Sequence, residues 1–276
     1  RKIKKDLFVH HFQNKMIGLF LGDTDFSDIV LKKIKKLNKR YFIIDFSKNN
    51  KFKKENNSHR ISIGNFGKII NLIKENNSKK VLFAGKIAKP KFSTLRLDFK
   101  GIYYMPNIIK AAKQGDAAII KAIIKILDNE NIKVISSIFF NPELALKTGN
   151  YTKLKPNLSD INSIKKGVKY FNKLNSLDHI QAIIVKESTV LAAEDKQGTK
   201  KMLSKLKKES GAILIKLPKK KQDLRMDLPT IGFYTLKDCK KYGLKGIVLK
   251  SKKNIFLDRD KCISFANKNK IFIKII

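Results

Sequence analysis

The feature that most constrains this chain is a series of short apolar runs without polar alternation, each followed by residues at helical spacing. Met16-Ile17-Gly18-Leu19-Phe20-Leu21 is apolar throughout and closes at Gly22; Ile29, Val30, Ile34 and Leu37 then recur at helical spacing with lysine on the other face. Tyr41-Phe42-Ile43-Ile44, ending at Asp45, is the next such run. After a polar loop over 48–60, Phe66, Ile69, Ile70 and Ile73 mark a second helix, and Val81-Leu82-Phe83-Ala84 a third strand closed by Gly85. Helical segments over 108–112 and 117–127 lead to a strand at Lys133-Val134-Ile135. Successive side chains of a strand point to opposite faces, so a strand apolar at every position needs cover on both. The first half therefore predicts a parallel sheet between helices, and the α/β class.

Lys153-Leu154-Lys155-Pro156-Asn157 is polar and broken by proline, and reads as a linker. Beyond it, Ser159 or Asp160 is placed to cap a helix carrying Ile161, Ile164, Val168 and Phe171. Ala182-Ile183-Ile184-Val185 and Val190-Leu191-Ala192-Ala193 read as paired strands around a turn at Glu187-Ser188, and Gly198-Thr199 opens a helix with Met202, Leu203 and Leu206. The segments 212–217, 231–234, 246–249 and 271–275 are strand-like. The second half is a separate mixed α/β domain. The expected division is a basic extension over 1–15, a first domain over 16–152 and a second over 153–276.

The chain has 276 residues, and 61 lysines and arginines against 23 acidic residues give a net charge of +38. With 42% apolar residues it is not wholly disordered. A basic nucleic-acid-binding protein is the alternative that such a charge suggests, through neutralised phosphates and released counterions. The excess is spread along the whole chain, however, and is mostly lysine accompanied by abundant isoleucine and asparagine. No nucleic-acid partner is expected; a solvated basic surface, or a field that attracts anionic head groups or a phosphorylated substrate, fits better. Two cysteines are too few for a disulfide framework and point to a reducing compartment. No apolar run approaches the roughly 18–20 residues that span a bilayer, and Arg1-Lys2-Ile3-Lys4-Lys5 leads into no apolar core of a secretory signal. A cytoplasmic location is expected.

His10, His11, His59 and His179 show no metal-ligand spacing among themselves or with the cysteines. Neither a GxSxG elbow nor a Walker loop occurs. Gly22-Asp23-Thr24-Asp25, at a strand-to-helix turn, lacks the GxGxxG fingerprint and carries two carboxylates where a phosphate would sit, so a tight turn is the better reading. Asp45 follows a strand as a ribose-binding acid does, but without that fingerprint. Glu187 and Glu194 read as acids at turns, where side chains are usually solvated. The segment from Lys219 to Gly232 is different: Gln222-Asp223-Leu224-Arg225-Met226-Asp227 brings cations, an amide and two carboxylates together before an apolar strand. Diphosphate hydrolysis needs these types, cations for the non-bridging oxygens and carboxylates to hold a divalent metal or orient water. On an extended segment Asp223, Arg225 and Asp227 share one side. A salt-bridge ladder on an edge strand fits the same pattern.

Several separate segments together resemble one family, the UDP-2,3-diacylglucosamine pyrophosphatases of lipid A biosynthesis of the LpxI type. They are Ile63-Gly64-Asn65-Phe66-Gly67-Lys68, Phe83-Ala84-Gly85-Lys86-Ile87-Ala88-Lys89-Pro90 with Phe92-Ser93, Lys113-Gln114-Gly115-Asp116, Ala193-Glu194 with Gly198-Thr199, and Gln222-Asp223-Leu224-Arg225-Met226-Asp227-Leu228-Pro229-Thr230-Ile231-Gly232. The resemblance runs over almost the whole chain from Met16. It implies a Rossmann-like N-terminal domain, a distinct α/β catalytic domain, and a lipid-linked UDP-sugar bound between the two. It further implies hydrolysis to 2,3-diacylglucosamine 1-phosphate and UMP with Mg²⁺, at the cytoplasmic face of an inner membrane whose anionic surface the basic chain would meet. By this resemblance Asp227 is the critical carboxylate and Gln222, Asp223 and Arg225 are site residues beside it; Asp227, Asp223 and Arg225 are the catalytic candidates, and Asp227 and Asp223 the candidates to hold the metal. Gly22, Gly85, Lys86, Gly198, Thr199, Lys219 and Gln222 are the substrate-binding candidates. Asp23 and Thr24 stand where the family has glycines, and Gln197 and Lys200 where it usually has acids.

Overall fold

A computed structural model describes residues 15–174, 180–206, 211–219 and 222–276. Most of the basic extension, His179 and the pair Lys220-Lys221 lie outside the described residues. The chain forms two compact units that divide between Asn141 and Pro142. This lies earlier in the chain than the expected boundary, and the segment 153–157 belongs to the second unit, where the Lys153 N–H donates to Asn267 Oδ1 at 2.7 Å.

The first unit is a five-stranded sheet, all parallel. Its strands are β1 (Ile17–Leu21), β2 (Tyr41–Asp45), β3 (Ser58–His59), β4 (Lys80–Ala84) and β5 (Lys133–Ile135), in the order β3-β2-β1-β4-β5. All five residues of β1 are buried, as an unalternated apolar strand requires. On helix α1 (Asp25–Lys36) the buried stripe is Phe26, Val30, Leu31 and Ile34: of the expected set Val30 and Ile34 lie in it, Ile29 is half-buried and Leu37, at the helix end, is exposed. Helix α2 (Phe66–Glu75) buries the expected stripe, Phe66, Ile69, Ile70 and Ile73. Helices α3 (Phe99–Gln114) and α4 (Asp116–Asn129) follow. The strand order reverses between β1 and β4, the switch point of a doubly wound sheet.

Glu130 ties three helices of this unit. It accepts from Lys74 of α2 at 2.8 Å, from the Tyr104 hydroxyl of α3 at 3.0 Å and from Lys100 of α3. Burial alone would raise its pKa, but the hydrogen bonds from Lys100, Lys74 and Tyr104 outweigh that and hold it at about 2 rather than 4.5. A depressed carboxyl stabilises the fold above its ordinary value and loses that contribution as pH falls through the folded value. Glu130→Gln is therefore expected to lower the melting temperature by roughly 3–5 °C at neutral pH. The difference from wild type should shrink as pH falls through 4.5 towards 2; a difference independent of pH over that range counts against the assignment.

The second unit carries a six-stranded sheet in the order β6-β13-β11-β9-β7-β8. These are β6 (Gly149–Asn150), β7 (Ala182–Lys186), β8 (Thr189–Ala193), β9 (Ile213–Lys216), β11 (Gly246–Leu249) and β13 (Phe272–Ile275). Strands β9, β11 and β13 are mutually parallel, whereas β6, β7 and β8 enter antiparallel, and β7 and β8 form the expected hairpin with positive φ at Glu187 and Ser188. A small parallel pair, β10 (Thr230–Ile231) with β12 (Ile255–Phe256), lies beside it. Period-2 alternation divides the core. Ile183, Val185, Ile213, Ile215, Val248 and Phe272 pack with Ile164 and Phe171 of α5 (Leu158–Leu174). Ala182, Ile184, Leu214, Ile247 and Ile273 pack with α6 (Gly198–Ser204), α7 (Phe233–Lys241) and α8 (Arg259–Lys268). Both cysteines are buried and free, and burial pushes the Cys262 thiol up to about 12.

Two local expectations change. The cap of α5 is Asn157, whose Oδ1 accepts from the Asp160 N–H while Asp160 Oδ2 accepts from the Asn157 N–H, each at 2.9 Å, so Asp160 is the reciprocal third-position acid. Residues 231–234 are not one strand: Gly232 ends β10 and Phe233 begins α7.

Candidate active site

The candidates of the first unit gather at the carboxyl end of its sheet, beside the switch point. The Gly22 N–H donates to the Ala84 carbonyl at 2.9 Å and the Asp23 N–H to the Lys86 carbonyl at 3.0 Å. Ser27 Oγ donates to the carbonyls of Gly22 and Ala84 at 2.9 and 2.8 Å. A Cβ on Gly22 would lie 2.2 Å from the Lys86 carbonyl oxygen, and one on Gly85, at φ +85°, 2.1 Å from Ser27 Oγ. These glycines let two strand-to-helix loops approach closely, and the N–H groups of Gly22 and Asp23 already serve that contact. The Lys86 side chain is exposed beside them. Asp45 is fully buried and accepts from Ser47 and the Phe52 N–H, which makes it the organiser of the 46–60 loop.

In the second unit the candidates gather at the carboxyl edge of parallel strands β9 and β11, where open α/β sheets place their ligands. Residue 216 ends β9 with the parity of Ala212 and Leu214, so its side chain turns to the face that α6 and α7 cover. Lys216 Nζ donates to Thr199 Oγ1 at 3.0 Å, and the Thr199 hydroxyl donates to Glu194 Oε1 at 2.6 Å. Glu194 Oε2 accepts from the Gln181 N–H at 2.8 Å, and the residue is 7% exposed, not a solvated turn acid. Desolvation lowers the proton affinity of Lys216, and the charges of Glu194 and Asp227 partly restore it. Lys216 is thus a half-buried lysine hydrogen-bonded to Thr199, within electrostatic reach of two carboxylates, one from the end of β8 and one from the loop before β10. Asn254 fixes the strand end, donating from Nδ2 to the Lys216 carbonyl at 3.1 Å and accepting from the Lys250 N–H at 2.8 Å.

The segment 222–229 is a turn rather than an extended ladder, because the Met226 and Asp227 N–H groups both donate to the Asp223 carbonyl, at 3.2 and 3.0 Å. Asp223, Arg225 and Asp227 consequently do not share one side by strand parity. The turn brings Arg225 back onto Asp223 instead: its Nε donates to Oδ1 at 3.0 Å and a terminal nitrogen to Oδ2 at 2.8 Å, a bidentate pair. Gln222 is 9% exposed; its Oε1 accepts from the Lys219 N–H at 2.9 Å, while its buried Nε2 has no partner among the described residues. A buried amide donor left unpaired is costly and points to a group that the site is shaped to receive.

Among the described residues no group of three or more His, Cys, Asp or Glu is arranged to hold a metal ion. Mg²⁺ takes one or two carboxylates together with waters and substrate phosphate oxygens, rather than a cage of protein ligands. That mode would need only the carboxylates of Asp227 and Asp223, the latter also paired to Arg225. Sequence reasoning did not single out Lys216. Its one signal is a charge at the carboxyl end of a fully apolar strand, hidden among so many other lysines.

The LpxI N-terminal domain matches residues 16–144 and the LpxI C-terminal domain residues 147–274. A curated relative, the UDP-2,3-diacylglucosamine pyrophosphatase LpxI of Caulobacter vibrioides, is 31% identical over 223 residues, spanning 77% of this chain and 80% of that protein. Two matched domains in the same order, over nearly all of the described fold, place the chain in the LpxI family.

Proposed function

We propose that this protein hydrolyses the diphosphate bridge of UDP-2,3-diacylglucosamine, giving 2,3-diacylglucosamine 1-phosphate and UMP. The observation that carries the reading is the hydrogen-bonded chain Lys216–Thr199–Glu194 at the carboxyl edge of the second sheet, with the Asp227 charge within electrostatic reach of Lys216. Membership of a family with a relative named for this activity supports the substrate class.

Water attacks one phosphorus of the bridge, a new P–O bond forms as the water gives up a proton to Asp227, and the bridging P–O bond breaks with the electron pair leaving on the other phosphate. Asp227 orients the attacking water by accepting its hydrogen bond. Lys216 and Arg225 stabilise charge developing on the phosphoryl oxygens. Asp223 fixes the Arg225 fork, and Gln222 Nε2 and Lys219 supply donors for phosphate oxygens. When bound, Mg²⁺ neutralises part of the diphosphate charge, and Asp227 is the residue that would hold it. The enzyme works in the cytoplasm, peripherally on the inner membrane whose lipid it processes. No helix among the described residues is long and apolar enough to cross a membrane.

The test is UMP release from UDP-2,3-diacylglucosamine dispersed in detergent, with Mg²⁺ and with EDTA. Release that EDTA suppresses and Mg²⁺ restores is expected. No release under any metal condition overturns the reading, and release indifferent to EDTA overturns its metal component.

A further inference from the structure

We propose that helix α3 docks the protein on anionic membranes through its outward face, which enters the head-group region of the bilayer. Phe99 is 92% exposed, Tyr103 74% and Ile102 59%, and Ile109 is also exposed. At about 100° per residue, positions 99, 102, 103, 106, 109, 110 and 113 fall within an arc of about 120°. The opposite face, with Gly101, Tyr104, Met105 and Ile108, is buried. This outward face is therefore apolar and aromatic towards its amino end, with Lys110 and Lys113 towards its carboxyl end. Aromatic and aliphatic side chains beside lysines are the composition of helices that lie in a membrane interface.

The inner face is held firmly, so the exposure is not that of a frayed helix end. Asp98 caps α3, accepting from the Gly101 N–H at 2.8 Å and from the Lys68 N–H of α2 at 3.0 Å. Lys100 and Tyr104 are fastened to Glu130, and the Tyr104 ring meets Phe66 edge-on at 6.0 Å.

Charge selects the occupant. Residues 86–125 contain nine lysines and arginines against two aspartates. Of those two, Asp98 is the helix cap, and Asp116 lies 3.6 Å from Lys89. A second copy docking face to face would bring two such basic rims together, whereas an anionic bilayer complements them. The lipid-substrate reading supplies the reason for meeting a membrane and the inference rests on it, but the contact itself needs no substrate.

The experiment is sedimentation of the full chain with substrate-free vesicles, of phosphatidylcholine alone or with phosphatidylglycerol. It compares wild type with the double variant Phe99→Ser/Tyr103→Ser. Wild type is expected to sediment with the anionic vesicles only, and the variant's partition coefficient should fall about tenfold or more. Circular dichroism and UMP release from detergent-dispersed substrate should remain unchanged in the variant. Absence of wild-type binding, or equal binding by the variant, overturns the proposal. So does a wild-type dimer in analytical ultracentrifugation that the substitutions dissociate, since a second copy then covers the face. Vesicle binding without UMP release would instead sink the proposed function and leave the docking surface standing.

Discussion

Asp227→Asn is expected to lower turnover by about 10³-fold or more while the substrate remains bound, because the change keeps the side chain's shape and removes its charge. The position follows from the turn at 223–227: the Asp227 N–H returns to the Asp223 carbonyl, and the residue then leads through Pro229 into β10, which is paired to β12. Its backbone is fixed on both sides, so an isosteric amide should not rearrange the loop. Its charge is felt at Lys216 across the site. With the carboxylate gone, the proposed attacking water would lose the acceptor that orients it, and a bound Mg²⁺ would lose the carboxylate proposed to hold it. Binding depends on the cations and on Gln222, which remain, so kcat should collapse with little change in KM. A variant with near wild-type kcat, or one whose loss lies wholly in KM, removes Asp227 from the chemistry. Asp223→Asn makes the contrast: it loosens the Arg225 fork and should weaken binding and catalysis together, by less.

The scaffold was readable in the sequence where burial is symmetric. Runs such as Leu19-Phe20-Leu21 and Phe42-Ile43-Ile44 could be placed because a strand covered on both faces leaves no polar alternation, and the observed strands fall on them. The amino-terminal half of α3 was missed for the opposite reason. Phe99, Ile102 and Tyr103 face outward, so the periodicity that normally marks the buried side marks the exposed one, and Pro106 and Gly101 further obscure it. The strand expected at 231–234 fails because aromatic and β-branched residues resemble a strand locally, whereas α7 begins at Phe233 directly after the extended Gly232. At the site, the Gln222–Asp227 cluster stood out through its mixture of charges. Its turn geometry did not, since strand alternation and a hydrogen-bonded turn are equally compatible with two aspartates four residues apart. Glu194 was read as solvated because burial at the end of an edge strand depends on what packs over it, here Thr199 and the Gln181 backbone.

Lys216→Met should lower kcat/KM by about 10²–10³-fold, and its pH profile separates a role in catalysis from one in packing. Methionine keeps the unbranched stem and removes the ammonium, leaving Thr199 without its donor and Glu194 and Asp227 without a nearby positive charge. Lys216→Arg is not expected to rescue activity, because a planar fork does not fit where a compact ammonium ends a buried strand. Desolvation makes Lys216 surrender its proton below the ordinary 10.5, against the opposing pull of Glu194 and Asp227. Activity that needs the cation should therefore fall on the alkaline side earlier than an ordinary lysine would dictate, and the methionine variant should lack that limb. The stability effect has its own sign. Below the folded value the ammonium is charged in both states and its burial cost is fully present. Between the folded value and 10.5 the unfolded chain still holds the proton and the native state does not, so the cost is relieved and the fold gains as pH rises. Urea titrations of wild type and variant across that window should show wild type gaining on the variant as pH increases. A purely structural lysine would shift these titrations and leave the alkaline limb of kcat/KM in place; persistence of that limb in Lys216→Met, with activity near wild type, would exclude Lys216 from phosphoryl transfer.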